Sequence, residues 1–201
     1  MKELDKLLHI ERGMLSPEDT QRYYLHLSDL ARRGEYELDE QTFWSMPAWY
    51  MPFLDIHEVC HDKMEEVCGI ELEGSYCYAR RYSSGTYLFP HTDRPECRAS
   101  LTINLGHGGE NWSIWAGSPE NPIFLEPGDA LIYNGATQEH GREYMRIDQR
   151  WMYQIFVHYM PLEDAHLHLQ HEGFVRTKEG TTTAKRFALG TLARQASIID
   201  D

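Results

Sequence analysis

From Gly74 onward the apolar residues of this chain stop repeating at helical spacing and begin to alternate, and that change most restricts how it can fold. Eight short strand-like runs follow, at 75–82, 86–91, 99–105, 112–116, 122–126, 129–134, 138–142 and 149–159. Turn residues punctuate them: Ser83-Ser84-Gly85, Gly106 to Gly109, and Pro127-Gly128-Asp129. Runs this short, with no helical segments between them, predict a sandwich or small barrel rather than alternating strand–helix units.

Ahead of the alternating region, residues 1–70 read mostly as helix. Ser16-Pro17-Glu18-Asp19 supplies a cap, a proline suited to the first turn, and acids for the positive helix end. Leu25, Leu27, Leu30 and Ala31 give that helix an apolar side, and Gly34 fits its stop. Residues 43–53, FWSMPAWYMPF, are aromatic and twice broken by proline, which predicts a packed loop. In it Trp44, Trp49, Tyr50 and Phe53 pack on the strand region, with a substrate lid as the alternative. A second helix is expected from Asp55 to Cys68, ending at Gly69. The organisation expected is a single domain over 1–201: helical support in 1–70, a strand core in 74–159, and a C-terminal extension in 160–201 with a basic stretch at 176–194.

A formal net charge of −13 argues against a nucleic-acid partner, which needs a basic footprint, and leaves small-molecule or peptide substrates. Cys60, Cys68, Cys77 and Cys97 form no C-x-x-C pair and read as buried free thiols of a reducing compartment. The polar start MKELDKLLHIERG does not resemble a signal peptide, and no apolar run reaches the length of a membrane span. These features place the protein in the cytoplasm and leave its oligomeric state open.

Two patterns compete as metal sites. His57-Glu58-Val59-Cys60-His61 fits H-E-x-x-H, the zinc-peptidase helix, but Met64 and Val67 stand where the extended form needs glycine and histidine. Two partly exposed histidines on an acidic helix are the plainer account. The second pattern is His91-Thr92-Asp93, with His140 following 47 residues later. Residues i and i+2 of a strand point to one side, so His91 and Asp93 can share one ion, and His140 can return beside them on a later strand. Two imidazoles and a carboxylate with open positions suit non-haem Fe(II). Arg150, Met152, Gln154, Phe156 and His158 share one face of the last run. An arginine facing inward there needs an anion, such as a carboxylate held bidentately.

With these residues in place, 76–159 resembles the double-stranded β-helix (a jelly-roll, cupin-like barrel) of the Fe(II)/2-oxoglutarate-dependent oxygenases, most closely the prolyl-hydroxylase-like branch. The resemblance rests on Tyr82-Ser83-Ser84-Gly85, His91-Thr92-Asp93, Arg98 to Leu105, Gly108 to Asn111, Glu126 to Tyr133, Glu139-His140-Gly141 and Arg150-Trp151. It implies a mainly β fold with supporting helices, and a dioxygenase that hydroxylates an unactivated C–H bond of a peptide residue, amino acid or small metabolite. Fe(II), 2-oxoglutarate and O2 are the implied cofactors, with ascorbate an optional reductant. His91, Asp93 and His140 would ligate iron, and Arg150 and Tyr82 would hold the distal carboxylate of 2-oxoglutarate. Gln154 would line the cosubstrate slot, and Asn104 is a further candidate near the metal. Met152 stands where other branches carry an Arg-x-Ser serine, and Asp93 favours hydroxylation over halogenation.

Arg98 is a candidate to steady Asp93 from behind. His166, His168 and His171 read as a solvated surface run, and Gly106-His107-Gly108-Gly109 lacks the context of a phosphate loop. The alternatives are a non-catalytic cupin-like barrel that binds metal or ligand, which leaves Arg150 and Tyr82 unexplained, and a zinc metallopeptidase built on His57, Glu58 and His61.

Overall fold

The computed structural model describes residues 4–39, 42 and 46–164. Trp44, the basic stretch at 176–194 and His166, His168 and His171 lie outside the described residues. The elements in chain order are β1 (Leu8–Glu11), α1 (Pro17–Arg33), β2 (Glu37–Asp39), β3 (Met46–Tyr50), α2 (Ile56–Cys68), β4 (Leu72–Ser83), β5 (Leu88–His91), β6 (Ala99–Gly108), β7 (Trp115–Ala116), β8 (Ala130–Tyr133), β9 (His140–Arg142) and β10 (Trp151–Pro161). Both helices end as their sequences predict. Ser16 Oγ accepts the Asp19 amide at 3.0 Å, Gly34 turns left-handed at φ 77°, and Gly69 does the same at φ 72°. None of the described helices is long and apolar enough to cross a membrane.

The mainly β composition with supporting helices is as expected, but the closed barrel is not. Seven strands form one open sheet in the order β1-β8-β6-β10-β4-β3-β2, and three form a second sheet, β5-β9-β7. Among the described residues no ladder joins the two sheets; a lone bridge, Thr42 to Leu88, links β5 to the segment before β3. The edges of the large sheet are taken by N-terminal strands rather than by β5, β9 or β7. These three strands extend it at both edges, with β1 against β8, and β2 and β3 beyond β4. The stretch expected to be a packed loop is therefore partly strand. At 122–126 only an isolated bridge from Ile123 to Ile114 forms.

The two faces of the large sheet do different work. Cys77, Ala79, Leu101, Ile103, Ile155 and Val157 point to one side and form the main core with Tyr23 and Leu27 of α1 and Ile56, Cys60 and Met64 of α2. The alternate residues, Tyr78, Arg80 and Tyr82 of β4 opposite Phe156, Gln154 and Met152 of β10, point to the other side. That second face carries the polar chemistry. All four cysteines are buried free thiols.

The H-E-x-x-H helix is absorbed by this packing. His57 is buried, not partly exposed: its ring lies against Gly74, where an added Cβ would come within 2.7 Å, and 5.3 Å from the Tyr159 ring. His61 turns to the Leu72 carbonyl at 3.2 Å. Neither histidine belongs to a group of metal-capable side chains among the described residues.

Next to this helix, Glu73 is only 3% exposed, and its Oε1 has no hydrogen-bond partner among the described residues. Burial pushes its carboxyl up to about 7, against a weaker downward pull from His61. A raised folded-state value means the folded chain holds the proton more tightly than the unfolded chain. This stabilisation is therefore complete below about pH 4.5 and lost as pH rises through about 7. Urea titrations should show wild-type stability falling over that window by up to about 3 kcal/mol, with a flatter profile in Glu73→Gln. Equal slopes for the two chains would show that Glu73 ionises freely in the fold.

Candidate metal centre

β5 and β9 pair so that His91 lies directly opposite His140, with ring centroids 4.3 Å apart. Asp93 follows just past the end of β5, and its amide donates to the Gly135 carbonyl at 2.7 Å. Its Oδ1 lies 3.6 Å from His91 Nε2 and its Oδ2 lies 3.6 Å from His140 Nε2. Three donor atoms thus converge on one point, as a single ion requires.

The backbone fixes which imidazole nitrogen faces that point. His91 Nδ1 donates to the Phe89 carbonyl at 2.7 Å, and His140 Nδ1 donates to the Gln138 carbonyl at 3.0 Å. A carbonyl only accepts, so each Nδ1 carries the proton and each Nε2 presents its lone pair. Burial lowers the pKa of both histidines, with each other's proximity and Arg80 adding to the effect at His91, so both rings are neutral and ready to ligate. Burial also pushes the Asp93 carboxyl up, opposed by His91 and Arg80. A cation at the point of convergence would favour the ionised carboxylate.

Gly135 makes room for this arrangement. Its backbone would accept any residue, but an added Cβ would lie 2.4 Å from Asp93 Oδ2 and 2.9 Å from Ser100 Oγ. We expect Gly135→Ala to displace the carboxylate and weaken metal binding roughly tenfold or more while the chain stays folded. Calorimetric titration with Fe(II) measures this, and unchanged affinity would refute the crowding argument.

The three donors border a cavity of about 350 Å³. Tyr50, Tyr76, Tyr78 and Phe156 form an aromatic wall, with the Tyr50 and Tyr76 rings stacked at 5.5 Å. Arg80 lies over Tyr78 and Phe156, ion-paired with Asp39, and its Nη1 donates to Tyr82 Oη at 3.3 Å. The cavity also reaches His158.

Of the cosubstrate residues read from the sequence, Tyr82 and Gln154 are buried on the sheet face that carries Arg80, though neither lines the cavity. Tyr82 is fully buried beside Trp112, and Gln154 Oε1 accepts from Arg142 Nη2 at 2.6 Å. Asn104 spends its side chain locally, donating to the Leu125 carbonyl at 2.6 Å and accepting the Gly106 amide at 2.8 Å. Arg98 pairs with Asp164 rather than steadying Asp93. Arg150 is not among the lining residues. β10 begins only at Trp151, and Arg150 sits before it at φ 36°, which breaks the strand alternation and leaves the side chain exposed beside Gly109.

Arg142 is a buried arginine that the sequence reading did not single out. It shares a strand face with His140 and is 1% exposed. It donates to the Trp112 carbonyl at 2.8 Å and to Gln154, and stacks over Trp112 at 4.7 Å. No carboxylate pairs with it among the described residues, its Nε has no partner, and burial lowers its pKa to about 10. Two-residue spacing from His140 was the available signal.

No protein-family model matches the sequence, and no curated protein is similar enough to count as a match. Solved structures do match. A Pseudomonas putida prolyl-4-hydroxylase aligns at TM-score 0.59 and 11% identity, over 77% of this chain and 92% of that one. A Trichoplax adhaerens prolyl hydroxylase in complex with a hypoxia-inducible-factor peptide aligns at 0.62 and 13%, over 80% and 86%. The fold is that of the Fe(II)/2-oxoglutarate-dependent oxygenases. The likeness extends to a non-haem α-ketoglutarate-dependent epimerase of nogalamycin biosynthesis, SnoN, at 0.63 and 14%, over 77% of each chain.

Proposed function

We propose that this chain is an Fe(II)- and 2-oxoglutarate-dependent dioxygenase that hydroxylates an unactivated C–H bond of a peptide residue, an amino acid or a small metabolite. The observation that carries this is the convergence of two tautomer-fixed imidazoles and one carboxylate on the edge of a cavity lined by the buried Arg80. The donor set fits Fe(II), with His91, Asp93 and His140 as its ligands. When bound there, iron with 2-oxoglutarate and O2 supplies oxidative decarboxylation to succinate and carbon dioxide, coupled to hydroxylation.

The chain's own part is binding, orientation and exclusion of water. Arg142 takes the distal carboxylate of 2-oxoglutarate in place of Arg150, because a buried arginine without an acid partner is costly until an anion reaches it. Tyr82 adds its hydroxyl, and Gln154 holds the guanidinium in line. Arg80 is the less suitable anchor, since Asp39 already neutralises it. The aromatic wall of Tyr50, Tyr76, Tyr78 and Phe156 receives the substrate. One structural neighbour holds a peptide and another belongs to nogalamycin biosynthesis, so both substrate classes stay within the proposal.

Incubation with Fe(II), 2-oxoglutarate and oxygen should yield succinate, slowly without substrate, and a substrate pool should show a product heavier by one oxygen (about 16 Da). Metal retained with no succinate under any condition would favour the non-catalytic metal-binding reading.

A further inference from the structure

We infer that Asp93, Cys97 and His158 form a second cation site, suited to a thiophilic divalent ion such as Zn2+ or Cd2+, that draws on the same carboxylate as the triad. Their donor atoms lie within 4.8 Å of one another, and Cys97 and His158 are buried. Neither Cys97 nor His158 has a part in the triad.

The hydrogen bonds around His158 fix its tautomer. Ser100 Oγ donates its single proton to the Cys97 carbonyl at 3.0 Å. It has none left for His158 Nδ1, 2.8 Å away, so the ring must donate to the hydroxyl. His158 Nε2 then carries the lone pair of the ring, and the residue lines the cavity. Ser100 thus does two jobs, orienting the imidazole and tying down the Cys97 backbone, where the Ala136 amide also donates to the carbonyl at 3.2 Å. Cys97 Sγ lies 3.3 Å from Tyr76 Oη, and the Tyr76 ring lies 4.5 Å from that of His158. Sulfur, imidazole nitrogen and carboxylate oxygen around one point make a borderline-soft donor set, unlike the N,N,O set of the triad. On binding, the Cys97 thiol releases its proton to solvent and sulfur bonds the ion as thiolate.

Asp93 belongs to both groups, and its two oxygens now face His91 and His140. An ion at Cys97 and His158 competes for that carboxylate and repels a second cation beside it, so occupation of the soft site weakens the triad. This antagonism rests on the triad being an iron site; the soft site itself does not.

The test is titration of the full, metal-stripped chain with Cd2+, followed by sulfur-to-metal charge-transfer absorption. We expect a signal saturating at one equivalent that disappears in Cys97→Ser, weakens roughly tenfold or more in His158→Ala, and persists in His140→Ala. Bound Cd2+ should also lower Fe(II) affinity in the wild type and leave it unchanged in Cys97→Ser. The inference is overturned if the wild type shows no thiolate signal, if the signal survives Cys97→Ser, or if His140→Ala abolishes it. Cys97→Ser changes one atom, so its folding, checked by circular dichroism, keeps the comparison sound. The absorption needs neither iron nor 2-oxoglutarate, so failure of the oxygenase reading would show in the succinate assay and leave this result untouched.

Discussion

Replacing His140 with alanine should weaken Fe(II) binding by roughly a hundredfold or more and abolish succinate formation, because it removes one of the three proposed ligands. The size follows from geometry. His140 has its Nδ1 tied to Gln138, so its Nε2 is committed to the metal point, and Asp93 Oδ2 faces it at 3.6 Å. With only His91 and Asp93 remaining, no other donor on β9 can substitute, since Gly141 has no side chain and Arg142 is cationic. The ring also packs against Tyr133 at 4.8 Å, so some stability, on the order of 1–3 kcal/mol, is lost as well. His57→Ala is the matched control. It deletes a buried imidazole packed on Gly74 and Tyr159, and should cost comparable stability without changing metal content. Elemental analysis after dialysis separates the two. One equivalent of iron retained at wild-type affinity in His140→Ala would sink the triad assignment, and metal lost from His57→Ala alone would restore the zinc-helix reading.

The sequence showed the pieces that depend on local pattern and concealed those that depend on pairing. His91 and Asp93 were readable because strand parity puts both on one side, and Ser16 and Gly34 because caps are chemical signatures. The edge strands were not. β1 (Leu8-His9-Ile10-Glu11) and β2 (Glu37-Leu38-Asp39) do alternate, but at four and three residues they are too short for the period to stand out. Sheet closure was equally out of reach, since it turns on which distant strands become neighbours. The proline-broken aromatic run concealed β3, whose alternation sends Trp49 into the core, with its indole nitrogen donating to the Glu35 carbonyl at 2.7 Å, and Tyr50 to the cavity. Arg150 lies off the cavity lining for a different reason. Its spacing was right, but one residue at φ 36° ahead of Trp151 takes it off the inner face, and no periodicity reveals a single backbone angle. His158, on the same sequence-visible face, did stay inside.

The proposed exchange of Arg150 for Arg142 as carboxylate anchor leads to the second large effect. Arg142→Met should lower 2-oxoglutarate affinity by roughly a hundredfold or more, the range of about 3 kcal/mol expected when a buried charge loses its partner. Arg150→Ala should change it by less than about threefold, as befits a solvent-exposed charge. Iron affinity should hold in both, since neither residue is among the metal-facing donors. Affinity alone does not separate a binding arginine from a structural one, but stability without ligand does. Arg142 has its guanidinium desolvated and no carboxylate against it among the described residues, so methionine of similar length removes an uncompensated charge and should leave the ligand-free fold as stable or more so. An arginine kept for structure would instead lose its bonds to Trp112 and Gln154 at a net cost. Trp112, 4.7 Å from the guanidinium, provides a fluorescence signal for the titration, and thermal melts with and without 2-oxoglutarate give the second readout. If Arg142→Met destabilises the free chain and binds 2-oxoglutarate normally while Arg150→Ala does not bind it, the carboxylate belongs to Arg150 and the exposed turn before β10 must close over the cavity.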